Sequence, residues 1–232
     1  MPDLTICHSP ALWRKLDAER LKASACVVID VIRATSTIVA ALAHNADGVQ
    51  AVASLDEAFA LKAQNPNALL AGERGGQALP GFDLGNSPED FTAQRVMGRR
   101  IILTTTNGTQ ALAACQGARA VMTASFLNLD AAAARLREIG PPWMILCAGC
   151  NGEFGLDDAI VAGALAEALG QEANPFVPLY RSVRPDLTET LLGSDAGREL
   201  VKVGLGKDVP FCAQRSLFPL VPTLDVDGIL RG

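Results

Sequence analysis

The sequence predicts a layered α/β/α domain built on a largely parallel sheet, with a helical C-terminal extension. Three observations carry this reading. Short apolar runs bounded by Gly, Pro or polar turns recur along the chain, as expected of strands covered on both faces. Segments with helix-start signals alternate with them. The composition, 49% apolar but only 5% aromatic and with 21 glycines, suits helices packed closely on such a sheet.

The elements follow in order. Residues 4–7 read as a short strand and 11–22 as a helix. Residues 25–31 (ACVVIDV) are a continuous apolar run with one carboxylate near the end, the pattern of a central strand. A helix over 37–46 takes Thr35 or Ser36 as its N-cap. Residues 48–53 form a strand, and Ser54 and Glu57 a capping box for the next helix. Residues 68–72 form a strand, followed by a Gly- and Pro-rich loop over 73–86. Loops of that length inside a compact domain are usually functional or disordered. Ser87 and Pro88 restart a helix. Strands follow over 101–105, 120–124 and 143–148, with helices at 108–115 and from Asn128 to about residue 139. Residues 156–169 are apolar nearly all round, so that helix is buried, and Gly170 ends it.

After Gly170 the rhythm changes. Asp186 and Glu189 read as a capping box, Ser194 starts another helix, and Pro210, Pro219 and Pro222 break up the tail. The chain therefore divides into an α/β domain carrying the candidate site, residues 1–170, and a helical extension packed on it, residues 171–232.

Charge and cysteine usage narrow the class. The formal net charge is −5 and no basic block occurs, which argues against nucleic acid. No apolar run reaches the ~18 residues of a membrane span, and no signal peptide is read at the N-terminus. The six cysteines lie mostly in apolar stretches, as expected of reduced thiols in a cytoplasmic protein. Cys147 and Cys150 have redox or zinc spacing, but no second pair or nearby histidine supports a zinc site. A homodimer is the expectation from the prevalence of twofold assemblies.

Ligands of parallel α/β sheets bind at the carboxyl ends of the strands. Asp30, Arg33, Thr35 and Ser36 follow one strand, Glu73 and Arg74 another, and Thr104, Thr105, Thr106, Asn107, Gly108 and Thr109 a third. Gly149, Asn151, Glu153, Asp157 and Asp158 follow the last. Charge is sparse in this sequence, yet it converges on that rim. A carboxylate ending a buried strand costs several kcal/mol, roughly, unless it is paired or binds a metal. Asp30 therefore either holds a metal, pairs with Arg33 or caps the following turn. The 104–109 turn either cradles an oxyanion or only caps its helix. Asp157 and Asp158 either favour the helix start or, with Asp30, supply oxygen ligands for Mg²⁺.

Several chemistries are disfavoured. The sequence has neither a P-loop nor a GxSxG elbow. No cysteine has an arginine six positions later, His8 and His44 sit in no motif, and Asp30 lacks the second aspartate of a haloacid-dehalogenase-type phosphatase.

Five ordered segments resemble the 2-phosphosulfolactate phosphatase family: residues 30–37 (DVIRATST), 72–76 (GERGG), 81–88 (GFDLGNSP), 104–109 (TTTNGT) and 155–158 (GLDD). The resemblance covers most of residues 25–165. It implies a layered α/β fold and Mg²⁺-dependent hydrolysis of 2-phospho-3-sulfolactate to 3-sulfolactate and phosphate, a step of coenzyme M and sulfolactate synthesis. It implies Asp30, Asp157 and Asp158 as metal ligands and, with Arg33, as the catalytic set. Arg33, Arg74 and the 104–109 turn would meet the substrate's anions, with Thr35, Ser36 and Asn86 completing the contact set. Two positions depart from the family pattern: Asp157-Asp158 stands for a Glu-Asp pair, and Glu153 for a basic residue. The Glu153 departure motivates an alternative substrate, another small phosphorylated hydroxy acid. A non-catalytic anion-binding α/β protein is the third reading.

Overall fold

The fold is taken from a computed structural model that describes residues 3–232. In chain order it runs β1 (Leu4–Cys7), α1 (Pro10–Trp13), α2 (Ala18–Ala23), β2 (Ala25–Ile29), α3 (Ala34–Ala43), β3 (Gly48–Ala51), α4 (Leu55–Gln64) and β4 (Leu69–Arg74). Next come β5 (Gln77–Ala78), α5 (Ala93–Val96), β6 (Arg100–Thr104), α6 (Gly108–Ala114), β7 (Ala120–Ala124), α7 (Leu129–Ile139), β8 (Trp143–Cys147) and α8 (Leu156–Ala168). The C-terminal part holds α9 (Phe176–Val183), α10 (Leu187–Leu192), α11 (Asp195–Lys202), α12 (Asp208–Cys212), β9 (Thr223–Leu224) and β10 (Leu230–Arg231).

Two parallel blocks make up most of the sheet. One is β1-β8-β2-β7, the other β3-β6-β4. The antiparallel hairpin β9-β10 lies between them, pairing with β7 on one side and β3 on the other. The layered α/β expectation holds. The extension, however, is not helical throughout: its last strands lie inside the sheet and join the two blocks.

Both faces of the central strands are covered, which is why their sequences are continuously apolar rather than alternating. Val27 and Ile29 of β2 pack with Met122 of β7 and Ile145 of β8 against Leu136 of α7 and Ile160 of α8. On the opposite face, Cys26 and Val28 of β2 share a core with Leu103 of β6 and Ala71 of β4, together with Ile38 of α3 and Leu112 of α6. Strands far apart in sheet order thus enclose α3 and α6. This curl brings the ends of β2 and β6 together.

Local differences have local causes. The helix expected over 11–22 is two helices, because the Asp17 carboxylate accepts from the Arg20 N–H and starts a new one. Helix α3 begins at Ala34, so Thr35 and Ser36 lie inside it rather than capping it. Ser54 caps α4 as expected, but Glu57 accepts from Ala53 N–H, so the box is only half made. Ser87 caps nothing, since its hydroxyl donates to Asp208, and Asp186 makes no side-chain cap bond. Ser194 does cap α11. No helix among the described residues is long and apolar enough to cross a membrane.

Candidate active site

Asp30 stands immediately after β2 and is 6% exposed. Its Oδ1 accepts from the Ala34 N–H at 3.2 Å, which starts α3 beside it. Burial is the largest cause raising its pKa to about 7, and the charges of Asp157 and Glu73 add to it. Asp157, in the first turn of α8, is raised to about 6, again chiefly by burial. Asp158 is pushed well above the usual carboxylate range by burial and then by the charges of Asp157 and Asp30. The convergence of Asp30 with the aspartate pair is thus present in the fold.

The two aspartates of the pair differ in role. Asp158 accepts from Val31 N–H and Gly149 N–H, both at 2.9 Å, and so clamps the β2–α3 turn to the loop after β8. Asp157 makes no side-chain bond of this kind to another segment. Its carboxylate is held instead by the backbone N–H groups of Asp157 and Asp158 in the first turn of α8.

Arg33 does not pair with Asp30. Its guanidinium donates to Asp208 Oδ2 at 2.7 Å and to the Gly76 carbonyl, and the Asp208 Oδ1 accepts from Ser87 Oγ at 2.7 Å. Asp208 begins α12, and nothing in its local sequence separates it from an ordinary acidic helix start. Sequence reasoning missed it for that reason.

Glu73 and Arg74 exchange prominence. Strand β4 continues through both, so they point to opposite sides. Glu73 is buried and accepts from Gly76 N–H and Thr106 N–H, each at 2.8 Å. Arg74 is half-buried and bonds the Glu73 carbonyl and Thr104 Oγ1. Glu73, absent from the candidate set although noted at the strand end, is the one that faces the cavity.

The threonine-rich turn largely serves itself. Thr105 and Thr109 bond each other's backbone through their hydroxyls, and Thr104 is held by Arg74. The anion that this turn holds is the Glu73 carboxylate, on the Thr106 N–H. Gly108 lies against Asp30: a Cβ at 108 would be 2.6 Å from Asp30 Oδ2. The Thr35 and Ser36 hydroxyls donate back to the carbonyls of Asp30 and Val31.

A cavity of ≈ 130 Å³ opens beside Asp30, bordered by Arg33, Glu73, Asn86, Thr106, Asn107 and Glu199, among others. Arg74, Thr35, Ser36, Thr104, Thr105, Gly108 and Thr109 do not line it, nor do Asp157 and Asp158, which lie behind Asp30. Asn86 is 5% exposed and its Oδ1 has no hydrogen-bond partner, as is also true of the buried Thr106 Oγ1. A second cavity of ≈ 400 Å³ adjoins the first and shares Thr106, Asn107 and Asn151 with it. Glu153 is exposed and borders neither, and the two half-buried histidines border neither as well. Cys150 borders the first cavity, but burial and nearby carboxylates raise its thiol to about 11, so it stays protonated.

The carboxylates at this rim fit a divalent cation. Among the described residues no Lys or Arg forms an ion pair with Asp30, Asp157 or Asp158, and the nearby Arg33 is paired with Asp208. Among the described residues, no group of three or more His, Cys, Asp or Glu side chains forms a ready cage. A cation bound there would take most of its ligands from water and substrate oxygens, as Mg²⁺ does where one or two carboxylates hold it.

With this geometry in place, comparison with known proteins is decisive. The family model described as 2-phosphosulpholactate phosphatase matches residues 10–227. The chain belongs to the 2-phosphosulfolactate phosphatase family. A relative from Thermotoga petrophila, called a probable 2-phosphosulfolactate phosphatase, is 41% identical over 208 residues, 88% of this chain and 89% of the relative. Relatives with the same description from Thermus thermophilus and Synechocystis sp. are 42% and 35% identical, covering 85% and 98% of this chain and 86% and 98% of their own. The family match extends through α12, so Asp208 lies inside the family's span along with Asp30 and Asp157.

Proposed function

We propose that this protein is an Mg²⁺-dependent phosphatase that hydrolyses 2-phospho-3-sulfolactate to 3-sulfolactate and phosphate. The observation that carries the reading is Asp30, buried at the edge of a small polar cavity, with Asp157 behind it near enough for their charges to interact, while the neighbouring Arg33 pairs with Asp208 instead. Family membership supports the substrate.

Asp30 and Asp157 would hold the cation. Bound there, Mg²⁺ offsets phosphate charge and polarises the ester. Asp158 shapes the site instead, by fixing two loops through its hydrogen bonds. Arg33 offers a guanidinium edge to the cavity while Asp208 holds its orientation. Asn86 borders the same space, and its Oδ1 has no hydrogen-bond partner. Asp30, at the floor, is placed either to take the proton of an attacking water or to attack phosphorus itself. The stereochemical course at a phosphoryl group made chiral with oxygen isotopes distinguishes these, since inversion marks direct attack by water and retention marks the covalent route.

Phosphate release from 2-phospho-3-sulfolactate tests the function. It should require Mg²⁺, stop with EDTA, and be lost in Asp30→Asn; release that persists in EDTA would overturn the reading. The same reading takes the protein as a cytoplasmic homodimer. Its six cysteines are unbridged and five are buried, in keeping with a reducing compartment. Light scattering on the purified protein checks the assembly.

A further inference from the structure

The two adjoining cavities differ in charge. Three carboxylates, Asp30, Glu73 and Glu199, border the first, and its one cation, Arg33, is already matched by Asp208. The second is bordered by Arg14 and by no carboxylate. Arg14 forms no ion pair among the described residues, so its guanidinium donors are uncommitted. It lies over the Trp13 ring, 5.3 Å from the centroid. Trp13 is itself buried, and its indole N–H donates to the Cys147 carbonyl at 2.9 Å, so the platform under the guanidinium is rigid. Asn107 and Asn151 add amides, and the unpartnered Thr106 hydroxyl stands at the wall between the cavities.

A small polyanion entering the first cavity meets carboxylates wherever a metal does not cover them. Its remaining charge is better held in the neighbouring space, which Arg14 and no carboxylate borders and where guanidinium and amide donors are available. Three residues border both cavities, so the two spaces lie side by side and a ligand reaching past those side chains would meet both.

We propose that the second cavity is the subsite for the non-reacting oxyanion of the substrate and that Arg14 is its specificity-determining residue. This rests on the phosphatase reading of the first cavity. The oxyanion is a sulfonate or a carboxylate, and both meet an arginine through the same donors.

The test compares wild-type protein and Arg14→Gln, with Mg²⁺, on 2-phospho-3-sulfolactate and on 2-phospholactate, which lacks the sulfonate. Arg14 is exposed, so the variant should fold as the wild type does. If the sulfonate occupies the subsite, KM for the sulfonated ester rises about tenfold with kcat nearly unchanged, and KM for phospholactate stays within about twofold. If the carboxylate does, KM rises about tenfold for both. Unchanged KM for both, or a loss confined to kcat, overturns the proposal. A second readout separates it from the functional assignment: calorimetric titration with 3-sulfolactate alone should show binding to wild type that weakens about tenfold in Arg14→Gln, whether or not turnover occurs. Equal binding by the two proteins, or no binding to wild type, rejects the subsite. Failure of wild type to release phosphate, with that difference in binding retained, rejects the phosphatase reading instead.

Discussion

Asp208 Oδ2 lies 2.7 Å from the Arg33 guanidinium, and neither side chain reaches solvent. The two residues are 175 positions apart. One follows the central strand β2 and the other opens α12, so this pair makes the C-terminal segment part of the site. A buried pair adds little net stability, but breaking it leaves an uncompensated charge in the interior.

Asp208→Ala should therefore destabilise the protein by about 3–5 kcal/mol. Urea unfolding should show a lower midpoint with an unchanged slope. A variant as stable as wild type would mean that Arg33 is not held as described.

Gly108 is required by close approach. A Cβ there would lie 2.6 Å from Asp30 Oδ2 and 2.7 Å from the Ala34 Cβ. Gly108→Ala should cost about 1–3 kcal/mol through overpacking, and should reduce phosphate release by more than its loss of stability explains. Gly193→Ala is the control, since its nearest neighbour would be 3.4 Å away, and it should leave turnover unchanged.

Deleting residues 223–232 removes β9 and β10. The edges of β7 and β3 would then be unpaired, and exposed edges promote association. The truncated protein should aggregate or lose its cooperative unfolding transition, as followed by light scattering and circular dichroism.

Much of this architecture is legible in the sequence because the central strands are buried on both faces. Runs such as ACVVI then have few other readings. Asp30 and the Asp157-Asp158 pair stand out because charge is sparse in this chain and several of its charged residues fall at strand ends. Three things were less legible. Glu73 rather than Arg74 faces the cavity because β4 runs further than its apolar core suggests, and strand alternation then decides which side chain points in. The hydroxyls at 105 and 109 are absorbed by backbone bonds within their own turn, which composition does not reveal. Asp208 and the β9-β10 hairpin depend on partners far away in sequence, and their own segments are short and interrupted by proline.

Stability should vary with pH in a way that Mg²⁺ suppresses. In the folded, metal-free protein the carboxyls of Asp30 and Asp157 titrate near 7 and 6, against an ordinary value near 3.8. The native state thus binds protons more tightly than the unfolded chain. This contribution is complete below about pH 4 and is lost as pH rises through 6 to 7. With EDTA, the thermal midpoint should fall between pH 5 and 8, and Mg²⁺ should flatten the fall. Asp30→Asn should raise the metal-free midpoint at pH 8 while abolishing turnover, as scanning calorimetry and a phosphate assay would show.

The most direct test is calorimetric titration of Mg²⁺ into the wild type, Asp30→Asn and Asp157→Asn proteins, each shown to be folded by circular dichroism. Saturable binding with one ion per chain in the wild type, weakened at least about tenfold in both variants, is the expected result. Wild-type affinity in either variant would contradict a shared cation between Asp30 and Asp157.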